Sequence, residues 1–173
     1  MTTATTAPAA EKKKGAGVMA VLQRIGRSLM LPVAVLPAAA LAITHCAKPH
    51  RRKEVGGLML SVALTSFVTG ITEPIEYSFM FIAPVLYAIH AVLTGVSMAV
   101  TWALGVHDGF SFSAGLIDYV INWHLATKPW LIIPIGLCFA VVYYAVFRFA
   151  ITRFDLKTPG REPEAEVEDV TEL

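Results

Sequence analysis

Two glutamates lie in one of the most apolar parts of the chain, within the segment GITEPIEY at residues 70–77. Between residues 55 and 147 the sequence has five charged residues, and Glu73 and Glu76 are two of them. A charge at the centre of a bilayer costs several kcal/mol, so such a residue usually faces a polar cavity and takes part in function. The chemistry of this segment therefore depends on what surrounds the two carboxylates.

The residues next to Glu73 predict a break in a helix. Gly70 and Pro74 both interrupt helical structure, which leaves backbone polar groups near Thr72 without helical partners. At membrane depth such a break is tolerated where it lines a polar pocket, and transporters bind their substrates there. Because a carboxylate accepts hydrogen bonds from two hydroxyls and a threonine hydroxyl donates or accepts one, Glu73 and Thr72 form a candidate sugar clamp. A polar loop at the membrane surface and a proton-coupling carboxylate are the alternatives.

Five further polar residues are weaker candidates. For His90, which lies in an apolar segment, we predict a contact between helices rather than a site. His107 and Asp108 suggest a polar turn, with a proton relay as the alternative. Asp118 and Asn122 are four residues apart, which favours an interior hydrogen-bonded pair on one helical face. No Walker loop, HExxH or GxSxG motif occurs, so we predict no catalytic residue, metal or cofactor on this chain.

The composition predicts a membrane protein. Of the 173 residues, 55% are hydrophobic and 16% are charged, and the mean hydropathy is +0.61. Soluble domains carry about a quarter charged residues. The net charge of +1 gives no argument for nucleic acid as a partner. Cys46 and Cys138 have no paired spacing, so they predict neither a metal site nor a disulfide framework.

We predict an all-α, polytopic transmembrane protein with broken helices or re-entrant hairpins. Three parts are expected: a disordered basic tail at residues 1–17, a membrane domain at 18–154, and an acidic tail at 155–173 that is a linker or a free end. Within the membrane domain we predict apolar regions at 18–44 and 55–70, spans at 78–106 and 130–150, and a re-entrant hairpin or interfacial helix at 107–128.

The basic residues predict a conflict in topology. Positive charges between residues 12 and 27 favour the cytoplasm, and so do those at 48–53. A single crossing lies between the two groups, and one crossing cannot return to its starting side. Either the first apolar region does not cross, or a further crossing is missing. A secretory signal peptide is an alternative for the first region, although Arg24 and Arg27 interrupt it.

Several motifs resemble one protein family. The segment GITEPIEYSFMFIAPVLYAIHAVLTG is similar to the signature region of the membrane domain, enzyme IIC, of the bacterial sugar phosphotransferase system. The resemblance is to its glucose and N-acetylglucosamine branch. It extends to LQRIGRSLMLPVAVLPAAA, HCAKPHRRKEVGGLMLSVALTSFVTG, GFSFSAGLIDYVINW and RFDLKTPGRE, and together these cover nearly all of residues 20–163.

The resemblance implies a homodimeric, multi-pass permease of the bacterial inner membrane. Such a permease takes up N-acetylglucosamine or glucose while a IIB domain phosphorylates the sugar. The phosphate passes from phosphoenolpyruvate through soluble carriers to a cysteine of IIB. Neither cysteine of this chain is in the setting of that IIB cysteine, so a separate IIB is expected.

The resemblance also assigns roles to residues. The glutamate of GITEP contacts the sugar hydroxyls in the family, which implies that role for Glu73 with Thr72 beside it. Possible supporting residues are Gly70, Pro74, Glu76 and His107.

The chain departs from the family in length. In AVLPAAALAITHCAKP it passes directly from one LPAA-type stretch to the HCAKP loop, where several spans are expected in relatives. The loss of an odd number of crossings would explain the conflict in topology. Two other functions therefore remain open: a non-transporting remnant or regulatory partner of a full-length permease, and a small ion- or proton-coupled membrane protein.

Overall fold

The computed structural model describes residues 30–109 and 111–163, with side chains described from residue 35 onward. The predicted basic tail, which is also the start of the signal-peptide alternative, and the last ten residues of the predicted acidic tail lie outside these residues. The described part is all-α, as predicted, and its only β-type pairing is one isolated bridge. Its helices are α1 (Met30–Cys46), α2 (Arg52–Thr69), α3 (Glu73–Met80), α4 (Pro84–Ala103), α5 (Leu116–Ile121), a 3-10 helix (Pro129–Leu131) and α6 (Ile132–Arg153).

Helix α1 forms the centre of the hydrophobic core. It is apolar on all sides, and helices of that kind are buried in an interior or in a membrane. Val35, Leu36, Ala39 and Ile43 are each at most 1% exposed, and the helix packs mainly against α6 and α2. Its many alanines allow this close packing because they present little side-chain volume. With 17 residues it is shorter than the two helices that could span a bilayer.

Two helices of the described chain are long and apolar enough to cross a membrane. They are Pro84–Ala103, with 20 residues, and Pro129–Arg153, with 25. At 1.5 Å per residue these lengths correspond to about 30 and 37 Å, against a hydrocarbon core of about 30 Å. They confirm helices in the two predicted spans, although residues 78–80 of the first belong to α3. In their apolar windows 22% and 17% of the residues are buried within the chain, so most of their apolar surface faces outward.

The predicted break separates α2 from α3. Helix α2 ends at Thr69, and Gly70 follows in the left-handed conformation with φ 81°, its N–H donating to the carbonyl of Ser66 at 2.8 Å. Helix α3 begins at Glu73 with Pro74 in its first turn, where the missing proline N–H costs no helical hydrogen bond. Glycine and proline thus act as predicted.

Residues 104–109 and 111–128 form a hairpin that leaves the end of α4 and returns beside it. His107 and Thr127 pair as an antiparallel bridge, with N–H to carbonyl distances of 3.2 and 2.7 Å. The short helix α5 lies inside this loop. The doubling back agrees with the predicted hairpin, whereas its depth in a membrane stays a prediction.

The predicted free end is not free over residues 155–163. The carbonyl of Gly160 accepts from the N–H of Lys48 at 3.0 Å, and Arg161 donates to the carbonyl of Cys46 at 3.1 Å. Glu162 pairs with Arg51 at 2.7 Å. The expectation of a free end is therefore wrong for these residues, because their polar groups bond to the loop at residues 46–51 instead of to water.

Candidate functional site

Glu73 and Thr72 lie together at the start of α3. Thr72 is the residue before the helix, and its carbonyl accepts from the N–H groups of Ile75 and Glu76 at 3.0 and 3.1 Å. Its hydroxyl makes no capping hydrogen bond. Glu73 is exposed, and no residue of the described chain bonds to its carboxylate. Both groups named by the sequence are therefore adjacent and available to a ligand.

Glu76 lies one turn further along α3 and has a different environment. Its carboxylate oxygen Oε1 is 3.9 Å from Nε2 of His90 on α4, and the two side chains are 22% and 10% exposed. Ile75 and Phe79, which flank it, are fully buried. The two glutamates of the motif thus differ, since one is exposed without a partner and the other faces the protein.

His90 belongs to a polar cluster that joins α3, α4 and α6. The hydroxyl of Tyr143 lies 3.3 Å from Nδ1 of His90 and 3.1 Å from the hydroxyl of Thr94. The ring of Phe79 contacts His90 edge-on, with ring centroids 6.0 Å apart. The predicted contact between helices is therefore confirmed, and it also reaches the motif helix.

A second segment packs directly against the break. A side-chain carbon on Gly70 would collide with Ser113 and with the backbone of Ala114 and Gly115. A carbon on Gly115 would likewise collide with the backbone at Val68, Thr69 and Gly70. Two glycines therefore allow the hairpin to touch the chain where α2 ends, which brings the predicted GFSFSAGLIDYVINW motif beside GITEP.

Asp118 and Asn122 stabilise that hairpin. The Asp118 carboxylate accepts from the N–H groups of Phe112 and Ser113 at 3.0 and 2.5 Å. The Asn122 amide donates to the backbone carbonyl of Asp118 at 3.0 Å. The interior pair predicted from their spacing is present, although Asn122 bonds to the backbone of Asp118 and not to its carboxylate.

Asp108 is a buried carboxylate without a partner among the described residues. It is 1% exposed, and neither of its oxygens has a hydrogen bond. Burial, and after it the charge of Asp118, raises the pKa of Asp108 to about 6. No proton donor or acceptor partner therefore completes the relay proposed for His107 and Asp108.

His107 lies at the base of the hairpin and forms no hydrogen bond or ion pair with α3. Its Nδ1 is 3.2 Å from the carbonyl of Gly105, and its backbone forms the bridge to Thr127. The structure thus places it in the polar turn that the sequence favoured. Of the possible supporting residues, Gly70, Pro74 and Glu76 lie in or next to the break, and His107 does not join them.

Sequence reasoning did not place Tyr143 beside His90, and it treated His90 as a packing residue. The available signal was that His90 and Glu76 are both ionisable residues in apolar segments, where such groups pair with one another. Tyr143 is 53 residues from His90 in the sequence, and local pattern cannot pair residues so far apart.

Two apolar grooves lie on the described chain, and neither includes Glu73 or Glu76. One, of about 360 Å³, is lined by residues of α2, α5 and α6 that include Phe67 and Tyr119. The other, of about 500 Å³, lies between α1 and α2. Within residues 30–109 and 111–163, no group of three or more His, Cys, Asp or Glu residues could hold a metal ion.

An all-α chain with membrane-length helices and a polar helix break has the features of a membrane transport component. Comparison with known proteins makes this specific: residues 15–95 match the family "Phosphotransferase system, EIIC". The matched region includes the GITEPIEY motif and His90. The chain is thus similar to the EIIC family, and the resemblance predicted from its motifs is confirmed.

Individual relatives support the same assignment. The N-acetylglucosamine-specific EIIC component of Streptomyces coelicolor is 75% identical over 136 residues, which are 79% of this chain and 33% of that protein. The glucose-specific EIICBA component of Staphylococcus saprophyticus is 58% identical over 73% of this chain and 19% of its own length. The N-acetylglucosamine-specific EIICB component of Bacillus subtilis is 55% identical over 75% and 28%. The chain therefore spans a third or less of these relatives.

Proposed function

We propose that this chain is a membrane component of the phosphoenolpyruvate-dependent sugar phosphotransferase system and binds N-acetylglucosamine, with glucose as the second candidate sugar. The observation that carries the proposal is the exposed Glu73 carboxylate beside Thr72 at the helix break. The choice of sugar rests on the 75% identity with a relative named as N-acetylglucosamine-specific.

The chemistry of the break suits a sugar. A carboxylate with both oxygens available can accept from two neighbouring hydroxyls, and charge-assisted hydrogen bonds of this kind are stronger than neutral ones. The Thr72 hydroxyl can donate to or accept from a third group. The exposed ring of Tyr77, one turn along α3, offers an apolar face. Sugars present this combination of vicinal hydroxyls and apolar ring surface.

The two long helices support a location in a membrane, and the resemblance implies that it is the bacterial plasma membrane. Their outward apolar surface matches lipid, because a core helix of a soluble protein would bury most of its residues. We propose that α4 and α6 cross the bilayer, and that the complete multi-pass unit is a homodimer, as the resemblance implies.

Phosphorylation of the sugar is assigned to a separate IIB. A cysteine that accepts a phosphoryl group must react as its thiolate. Burial raises the pKa of the Cys46 thiol, although Arg161, Arg148 and Arg52 act in the opposite direction. The raised pKa disfavours the thiolate of Cys46, which argues against Cys46 as the phosphoryl acceptor. Two of the relatives have names, EIICBA and EIICB, that include the B component.

The length of the chain favours one second candidate. Because it spans 33% of its Streptomyces relative, a non-transporting remnant or a regulatory partner of a full-length permease is the alternative. Such a partner would associate with permease subunits without binding sugar.

Binding of radiolabelled N-acetylglucosamine and glucose to the 173-residue chain in detergent tests the proposal. We expect saturable binding that is weakened at least tenfold in Glu73→Gln, since the amide loses the charge that strengthens the hydrogen bonds to hydroxyls. Glu54→Gln is the matched control, because Glu54 is exposed at the start of α2, outside the motif. Absence of binding by the unaltered chain would contradict the proposal and favour the second candidate.

A further inference from the structure

We propose that Glu76 is a positioning residue: it faces His90, which Tyr143 supports, and so fixes the rotation of α3 and presents the Glu73 carboxylate to the sugar. The inference rests on the proposed function, because it assigns a task to the Glu73 carboxylate. It names a second glutamate of the motif and two residues of distant helices as determinants of that site.

The geometry of α3 explains why its rotation needs fixing. The helix has eight residues, and helices this short depend on tertiary contacts for their stability. Ile75 and Phe79 are four residues apart and fully buried, so they anchor one face. At about 100° per residue, Glu73 lies well away from that face and Glu76 lies between the two. Glu76 is therefore placed to resist rotation of the helix about its apolar anchor.

The partner of Glu76 is itself held on both sides. His90 directs Nε2 toward Glu76 at 3.9 Å, while the Tyr143 hydroxyl lies 3.3 Å from Nδ1. Tyr143 is fully buried, and its hydroxyl is also 3.1 Å from that of Thr94. A buried tyrosine fixed by packing and by a second hydroxyl cannot follow a change in His90. Tyr143 therefore positions His90, and His90 in turn positions Glu76.

The contact between Glu76 and His90 has a consequence for Glu73, which lies one turn earlier on α3. Glu73 has no partner among the described residues, so its direction depends on the orientation of α3 alone. Loss of the contact between Glu76 and His90 would leave α3 on its apolar anchor and allow the carboxylate at 73 to point in several directions. A sugar would then have to select one of them, and its affinity would fall.

A double-mutant cycle on sugar binding tests the inference. Glu76→Gln and His90→Asn are each expected to weaken binding about tenfold, and the double variant is expected to be no weaker than either single one. Asparagine keeps a polar group near the position of Nδ1, which faces Tyr143, and removes Nε2. Thermal unfolding in detergent is measured beside each variant, since a purely structural defect would lower the midpoint together with the affinity. Additive losses in the double variant would overturn the inference.

A second readout is independent of sugar. With Cys46 and Cys138 replaced by serine, Glu73→Cys provides a single thiol whose rate of reaction with a water-soluble maleimide reports its presentation. We expect Glu76→Gln and His90→Asn each to change this rate several-fold, while the control Glu54→Gln leaves it unchanged. Equal labelling rates in all variants would overturn the role of Glu76, whether or not the chain binds sugar. A chain that binds no sugar would contradict the proposed function separately. Loss of binding in Glu73→Gln together with an additive cycle would leave the proposed function standing and reject only the role of Glu76.

Discussion

Two regions of the molecule concentrate polar groups. One is the helix break at residues 70–74, and the other, here the loop and tail, is the loop at residues 46–51 together with the C-terminal segment at residues 155–163. They differ in whether their charged side chains are paired. In the second region Arg51 pairs with Glu162, and Asp155 pairs with both Lys157 and Arg161. At the break, Glu73 is exposed and has no partner among the described residues. The loop and tail therefore use their charges for structure, whereas the break leaves one carboxylate available.

The two regions also differ in the contacts that fix the position of the backbone. At the break, Gly70 and Gly115 bring two chain segments into direct contact. In the loop and tail, side chains bond to backbone groups, as Arg161 does to the carbonyl of Cys46. An atom added at the contact between Gly70 and Gly115 would collide with the other segment, whereas the loop and tail can lose one hydrogen bond and keep the others. Substitutions should therefore have unequal effects in the two regions.

The largest expected effect is that of Gly70→Ala. The residue has φ 81°, and an added carbon would collide with Ser113 and with the backbone of Ala114 and Gly115. We expect a loss of about 2–4 kcal/mol of stability, from the left-handed conformation and the collision together, and a loss of sugar binding with it. Thermal unfolding and sugar binding in detergent measure both.

Gly57→Ala is the control for Gly70→Ala. It lies in α2, and a carbon added there would meet no atom within 4 Å. Because alanine favours a helix more than glycine does, this variant should be as stable as the unaltered chain or more stable. Equal midpoints for the two variants would show that the contact between Gly70 and Gly115 does not determine the structure of the break.

The sequence predicted those features of the fold that depend on residues close together in the chain. The glycine and proline of GITEP predicted the break at Gly70, and continuous apolar stretches predicted α4 and α6. The hairpin at 107–128 followed from its polar residues and glycines. In each case the responsible residues are neighbours along the chain, so their pattern is visible without a structure.

Contacts between distant residues were not predicted in the same way. Glu162 and Arg51 are 111 positions apart, and the C-terminal segment was accordingly expected to be a linker or a free end. For the candidate site, the position of Glu73 and Thr72 at the break followed from the sequence, but the inward direction of Glu76 toward His90 depends on how α3 packs on α4. Hydrophobic pattern gives the buried face of a helix and does not give the partner of a polar residue at its edge.

Asp108 differs from the carboxylates of both regions. Like Glu73 it has no partner among the described residues, but unlike Glu73 it is buried. Its pKa is raised to about 6 from an ordinary 3.8, so the folded state binds the proton more tightly than the unfolded state. The resulting stabilisation is complete below about pH 4 and is lost as the pH rises toward and through 6, a difference of about 3 kcal/mol. Unfolding midpoints measured between pH 4 and 8 in detergent should fall over this interval.

Asp108→Asn should remove most of that pH dependence, because the amide does not titrate. Glu54→Gln, which removes an exposed carboxylate, should retain it. A profile that is unchanged in Asp108→Asn would mean that another group titrates in this interval, and that Asp108 has a partner in the folded chain after all.

The smallest expected effect is that of Glu162→Gln in the loop and tail. The Glu162 carboxylate accepts from Arg51 at 2.7 Å and from the N–H of Gly160 at 2.8 Å, and the two charged side chains are 22% and 24% exposed. Because the pair is partly screened by water and glutamine keeps one acceptor oxygen, we expect a loss of about 1 kcal/mol in stability and no change in sugar affinity. Asp155→Asn, which breaks pairs at a more exposed carboxylate, should change stability less. A loss of sugar binding in Glu162→Gln at an unchanged unfolding midpoint would contradict the distinction between the two regions, because it would show that a charge paired for structure in the tail also acts on the break.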